Sequence, residues 1–256
     1  MKLTLVQTLL LTFLTVCYAR STKFRANDRE YYDFLVNEKR ENEVNAPLSS
    51  IDFTADWKET VHGELGVGRN FQINYAKSRL AAPVLVEYKF NDGPDFKSES
   101  LGDADTNGFY HKTISIPIDA DKVVIWFRHE RNDDKGSDYD SDYGRNYNFP
   151  INRPSIVFLK DWQEKQHGDL APGGNFDLFY DSKRLKEGSQ VVAQMKFLDD
   201  TVVDKTLQSD DSTYQTAVIS IPDNAEKLVM WFYYEDSDGK KQYDSDYGKN
   251  YHFTLS

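Results

Sequence analysis

The sequence predicts an all-β fold: two tandem antiparallel β-sandwiches behind a signal peptide. Three observations predict it. The 256-residue chain repeats itself at a constant offset of about 105 positions. Short apolar runs alternate with polar residues at period two, between clusters of turn-forming residues. A leucine-rich leader opens the chain.

Met1-Lys2 is a short basic start, and Leu3 to Val16 is dominated by Leu, Val and Phe. Cys17-Tyr18-Ala19 follows, so residues 1–19 read as a secretory signal peptide cleaved after Ala19. The destination is extracellular, with a vacuole as the alternative. Cys17 is the single cysteine and leaves with the leader. The exported chain therefore lacks any disulfide, cysteine nucleophile or cysteine-based metal site. Residues 20–50 are charge-rich without strand alternation and read as an arm or linker. Within them Asn27 to Glu30 is a helix-capping pattern, and Lys39-Arg40 is a dibasic pair.

The repeat is carried by three blocks. Trp57 to Leu80 matches Trp162 to Leu185 at 11 of 24 positions. Thr113 to Phe127 matches Val218 to Phe232 at nine of 15. Tyr139 to Phe149 (YDSDYGRNYNF) matches Tyr243 to Phe253 (YDSDYGKNYHF) at nine of 11. Chance does not keep three blocks in register. The domains are residues 51–150 and 155–256, joined by a linker at 151–154 that Pro150 and Pro154 bound and stiffen.

Each copy reads as β. Phe71, Ile73 and Tyr75 alternate with Gln72 and Asn74, and Phe176, Leu178 and Tyr180 repeat the pattern. Val84 to Phe90 and Val191 to Phe197 are further strands. Val123 to Phe127 and Leu228 to Tyr234 are buried strands rich in β-branched and aromatic residues, and Trp126 and Trp231 inside them are expected core anchors. Trp57 and Trp162 are read as core anchors too, with exposure as the alternative because they precede polar stretches. Turn clusters at Asn91 to Pro94, Pro172 to Gly174 and Asp236 to Gly239 set the spacing of a sandwich.

Composition narrows the function. The chain carries 31 Lys+Arg against 42 Asp+Glu, a formal net charge of -11. An acidic chain lacks the basic face that nucleic-acid binding needs. No long apolar run outside the leader provides a membrane span. With 16 Tyr, 16 Phe and 4 Trp there is ample surface for a packed core.

The Tyr-Asp-Ser-Asp-Tyr-Gly block is the sharpest signal, and it admits three readings. The first is structural: a hairpin with Gly144 and Gly248 at positive φ and a return strand whose Tyr147 and Phe149, or Tyr251 and Phe253, share one face. The second is a calcium loop, in which Asp138, Asp140 and Asp142 offer carboxylates at alternate positions with Asp133 and Asp134 upstream. In the second copy Gln242 stands in place of the first carboxylate. The third is a glycan site, because tyrosine faces beside Asp and Asn suit both the apolar ring faces and the hydroxyls of a sugar.

Tyr139 to Tyr147 and its twin Tyr243 to Tyr251 resemble the closing motif of family 21 starch-binding modules, an aromatic-Asp-Asn-Asn-x-x-x-Asn-Tyr segment. The repeats also resemble bacterial secreted domains of no assigned function with a Trp…Gly…Tyr-Asp…Arg-Leu start and the same ending. The resemblance implies an immunoglobulin-like, carbohydrate-binding-module-like sandwich for each copy. It implies a stacking aromatic at Tyr139 and Tyr243, and hydrogen bonds to sugar hydroxyls from Asn146 and Asn250. The family's other two asparagines fall on Ser141 and Asp142, and on Ser245 and Asp246, which lack the amide donors.

His62 and His167 occupy twin positions, each before a glycine, and read as strand or turn histidines because no second ligand recurs at fixed spacing. His129-Glu130 lacks the second histidine of a zinc-protease pair, and no Gly-x-Ser-x-Gly elbow or phosphate loop occurs. The expectation is a secreted, non-catalytic protein that binds a polysaccharide or glycan weakly, once per repeat. The alternative is an extracellular or vacuolar structural or storage protein that self-associates, with calcium as a stabiliser. Carboxylates are numerous enough to keep a glycoside hydrolase in view.

Overall fold

The structure, a computed structural model, describes residues 48–131, 136–209 and 213–256. The leader, nearly all of the charged arm, and Asp133 and Asp134 lie outside the described residues. The first repeat contains β1 (Ser49–Phe53), β2 (Glu59–His62), β3 (Asn70–Ala76), β4 (Val84–Phe90), β5 (Lys97–Ser100), β6 (Phe109–Ser115), β7 (Lys122–Glu130), β8 (Ser137–Asp140) and β9 (Tyr147–Pro150). The second contains β10 (Ser155–Phe158), β11 (Glu164–His167), β12 (Asn175–Asp181), β13 (Val192–Lys196), β14 (Val203–Thr206), β15 (Gln208–Ser209), β16 (Tyr214–Ser220), β17 (Leu228–Glu235), β18 (Lys241–Asp244) and β19 (Tyr251–Phe253). The helical pieces among the described residues are single 3-10 turns at Ser182–Arg184 and Asp246–Gly248.

Each repeat is two facing sheets. In the first, the order β2-β1-β3-β6 faces β5-β4-β7-β8, with β9 also paired to β7. The second repeats this as β11-β10-β12-β16-β15 and β14-β13-β17-β18, with β19 on β17. The layers meet through rings. Phe53 of β1 packs edge-on to Phe127 of β7 at 4.7 Å and to Tyr147 of β9 at 5.0 Å. Phe158 does the same with Phe232 at 4.6 Å and Tyr251 at 4.9 Å.

The strand prediction holds, with two corrections. The sheets are not purely antiparallel: β1 runs parallel to β3, and β10 to β12. After the β1–β2 hairpin the chain crosses over and returns along the free edge of β1 in the same direction. Side-chain alternation records which face a residue uses and carries no strand direction. The second correction concerns tryptophan. Trp126 stands between buried Ile125 and Phe127 on β7, so period two turns it to the outer face, where it is half-exposed. There its indole N–H donates to Glu87, and Phe96 lies 5.3 Å away. Trp231 is its twin, donating to Gln194 at 2.7 Å.

The repeats join end to face. In β3 only Phe71, Ile73, Tyr75 and Ala76 are buried, whereas β12 is buried from Phe176 to Asp181. The difference is the first repeat, which covers the outer face of β12. Val157 and Phe179 belong to the core cluster of the first repeat. Asp177 accepts from Arg69 Nε and Nη2, both at 2.7 Å, and from Arg153 Nε at 2.8 Å. Burial raises the pKa of Asp177, but these two arginines outweigh it and hold the carboxyl below its ordinary range. Gly68 lies so close that a Cβ there would sit 2.8 Å from the Phe179 ring. The linker is part of this joint: Ile151 is buried, and the backbone N–H groups of Asn152 and Arg153 both donate to the Leu65 carbonyl.

Candidate functional site

The start block and the closing block of each repeat meet at one end of the sandwich. Tyr75 closes β3, and Arg79 follows in the next turn. Asp140 ends β8, and Tyr147 begins β9. The Tyr75 hydroxyl donates to Asp140 at 2.8 Å, and the Tyr147 hydroxyl donates to the other carboxylate oxygen. Arg79 Nε stands 3.0 Å from Asp140, while its Nη2 donates to Glu59 at 2.8 Å and to the Tyr147 hydroxyl at 3.0 Å. Trp57 lies over the guanidinium, 4.7 Å from its carbon. Arg79 and Asp140 are sealed from water.

The second repeat rebuilds this cluster residue for residue. Tyr180 and Arg184 bond Asp244, at 2.8 Å and 2.9 Å. The Tyr251 hydroxyl donates to Asp244 and accepts from Arg184 Nη2 at 2.7 Å. Glu164 takes the place of Glu59, and Trp162 that of Trp57. Burial and the adjacent carboxylate push the phenols of Tyr75, Tyr147, Tyr180 and Tyr251 above the ordinary tyrosine range. Burial works against the Arg184 charge, yet Asp244 more than restores it. A charge this deep persists only when paired and hydrogen-bonded.

The network pins the loop between β8 and β9. Ser141 O accepts from Gly144 N at 3.0 Å and from Asn146 N at 2.8 Å, and Arg145 N donates to Asp142 O at 3.1 Å. Closing so tight a loop drives Asp142, Tyr143, Gly144 and Asn146 into the left-handed region, with φ of 46°, 55°, 86° and 61°. Asp246, Tyr247, Gly248 and Asn250 have φ of 44°, 55°, 87° and 63°. Identical loops in two different surroundings are set by their own sequence. Each lifts one tyrosine wholly into solvent: Tyr143 is 98% exposed and Tyr247 101%.

Beside the first loop runs an open groove of about 420 Å³, lined by Glu59, Asp142, Arg145, Asn146, Asn148 and the ring edges of Tyr147 and Phe149. Its polar groups point both ways: carboxylates accept, Arg145 donates, and the two amides do both. Arg145 also binds Asp142 Oδ1 at 2.9 Å. Trp57, 60% exposed, continues from Glu59 across Arg79.

The predicted site residues divide. Asp142 and Asn146 come together on the groove, and the second repeat holds Asp246 and Asn250 in the same loop conformation. Ser141 and Ser245 serve the loop through their carbonyls. Tyr139 and Tyr243 are separate. They alternate with buried Asp140 and Asp244, so they stand on the outer sheet face, opposite Arg128 and Tyr233. The calcium alternation does not assemble. Asp138 binds Arg131, Asp140 faces inward to Tyr75, Tyr147 and Arg79, and Asp142 faces Arg145. No cluster of three or more His, Cys, Asp or Glu suited to a metal occurs among the described residues.

Sequence reasoning passed over Arg79, Arg184, Glu59 and Glu164. The signal was present, since all four are matched positions of the repeat blocks. A charged residue identical in both copies at a strand end marks either a shared ligand site or a shared buried pair, and only the fold tells which.

These features define a class: an all-β protein of two tandem sandwiches, each locked by a buried arginine–aspartate–tyrosine cluster beneath a strained aromatic loop. The model of a family of unknown function, DUF6209, matches residues 22–152 and again residues 136–256, and the chain belongs to that family. The two matches overlap over β8 and β9, which the structure assigns to the first sandwich. The family match gives no support to the likeness to starch-binding modules. No curated protein matches the chain.

Proposed function

We propose that this is a secreted, non-catalytic glycan-binding protein with one weak site per repeat, at the loop between the last two strands. The observation that carries the reading is the paired exposure of Tyr143 and Tyr247. A fully solvated aromatic ring on a strained backbone does nothing for the stability of a sandwich, and strain of this kind gathers where a surface is used. The groove beside Tyr143 adds Asp142, Asn146, Arg145 and Asn148, a mixed set of donors and acceptors suited to hydroxyls. A flat ring flanked by such groups matches a sugar, which offers an apolar face and a rim of hydroxyls. Tyr139 and Tyr243 lie on the neighbouring sheet face, where they extend the aromatic surface toward Trp126 and Trp231. Two weak sites on one chain gain by avidity on a polymer.

A polysaccharide pull-down across a panel of insoluble glycans tests this. Tyr143→Ala with Tyr247→Ala is expected to lower retention by about fivefold to a hundredfold, at about 0.5–1.5 kcal/mol for each stacked ring removed. Tyr139→Ala with Tyr243→Ala is expected to lower it less. Retention unchanged by the first pair, with folding intact, would remove the site.

A further inference from the structure

The joint between the repeats is directional. One end of repeat 1 presents Arg69, Ile118 and Asp121 to a sheet face of repeat 2 that offers Asp177, Phe179 and His167. A contact between two different surfaces is not self-complementary, so repetition between copies builds rings or open chains. Among the described residues, every molecule carries a counterpart of both surfaces that the other repeat does not cover. The counterpart of the gripping face is the outer face of β2-β1-β3-β6. The counterpart of the gripped end lies at Gly174 and Asp223, since Arg69 and Ile118 fall there by the repeat offset.

Both counterparts have been rewritten. On the free face Asp52 stands where the joint has Val157, Gln72 where it has Asp177, and Asn74 where it has Phe179; the strand registers β1·β3 and β10·β12 align these positions. The replacements bond among themselves. Asn74 Nδ2 donates to Asp52 at 2.6 Å, and His111 Nδ1 lies 2.7 Å from Asn74 Oδ1 and 2.9 Å from Gln72 Nε2. At the free end Gly174 removes the arginine and Asp223 replaces the apolar Ile118. Of the side-chain pairs named above, Asp121–His167 alone keeps both halves, as Glu226 and His62. One exposed pair of that kind contributes little.

We infer that the repeat–repeat interface is a once-only joint, closed to a second copy of this chain by these five replacements. Docking the free end on the free face buries Asn74, Asp52 and Asp223 without the arginine–aspartate clamp or the phenylalanine that make the native joint. Taking these polar groups out of water costs free energy that the missing clamp and ring do not return, and that rejects a partner. The two loop sites therefore stay in units of two and do not grow into fibres.

Mixing two restored proteins tests the inference, with mass followed by sedimentation or light scattering. One carries Asp52→Val, Gln72→Asp and Asn74→Phe; the other carries Gly174→Arg and Asp223→Ile. The wild type and each restored protein alone are expected to remain single copies as concentration rises. Their equimolar mixture is expected to double in mass. The same mixture is expected not to double when the second protein carries Asp223→Ile without Gly174→Arg. Thermal melting of each protein establishes that it is folded before mixing. Wild-type association that the substitution Asn74→Arg prevents would overturn the inference. So would a mixture of folded proteins that stays at the mass of one copy, or a face-restored protein that associates by itself as strongly as in the mixture.

Discussion

Asp140 accepts from two phenols and faces a guanidinium, all sealed from water by Phe53 and Tyr75 on one side and Trp57 on the other. In the sequence it is one carboxylate among several in an acidic run, indistinguishable from Asp142 two residues on. Its burial follows from strand pleating at the end of β8, which turns Tyr139 outward and Asp140 inward. Removing its charge leaves buried Arg79 with the partly exposed Glu59 as its remaining carboxylate. Asp140→Asn is therefore expected to destabilise the protein by about 3–5 kcal/mol, read from the urea midpoint, and Asp244→Asn to do the same in the second repeat. Tyr139→Ala, on an exposed ring, is expected to stay within about 0.5 kcal/mol of wild type. Similar midpoints for Asp140→Asn and Tyr139→Ala would contradict the structural role of the buried pair.

The loop between β8 and β9 is the element where sequence and geometry agree most fully. Gly144 announces a turn with positive φ, and the structure has it there, with Asn146 in the same region. The left-handed conformation of Asp142 and Tyr143 is not announced, because nothing in a tyrosine codes for it; the two bonds to Ser141 O impose it. A non-glycine residue in that region costs about 1–2 kcal/mol. Tyr143→Gly is expected to raise the melting temperature, by relief of about 1 kcal/mol, while lowering glycan retention. A fall in melting temperature would show that the ring supports the fold and not a ligand. For the strands, the sequence pattern located β3 by alternation and β4 and β7 by their apolar runs. It misjudged Trp126 and Trp231 because an apolar run hides its own parity: every residue of Val123 to Phe127 looks suited to the interior, and only pairing with β4 decides which ones go there.

At the scale of the molecule, the two sandwiches share a joint that is itself titratable. Asp177 is held below its ordinary value by Arg69 and Arg153, so its contribution is complete above about pH 4 and is lost as pH falls below it. His167, buried beside Asp121 at 3.6 Å, is depressed chiefly by burial. The unfolded chain then takes up the proton first, so stability is complete above about pH 6.5 and declines as pH falls through that value. Urea midpoints against pH are expected to fall in two steps. His167→Gln is expected to remove the upper step, and Asp177→Asn to shrink the lower one, to which other hydrogen-bonded carboxylates also contribute, while lowering stability at neutral pH. A profile unchanged by Asp177→Asn would mean that the arginines do not hold that charge in solution.

The sequence by itself determined the duplication, the all-β class, the turn chemistry of the loop and the stiff proline-bounded join, because each is written in local spacing or in identity between copies. Tertiary structure alone decided which carboxylates are buried, that β1 and β3 run parallel, that Trp126 and Trp231 face outward, and that the first repeat covers the face of β12 while the second leaves that of β3 uncovered. Those outcomes depend on which strand lies beside which. A residue's neighbours across a sheet or a joint come from distant parts of the chain, and spacing along one strand does not encode them.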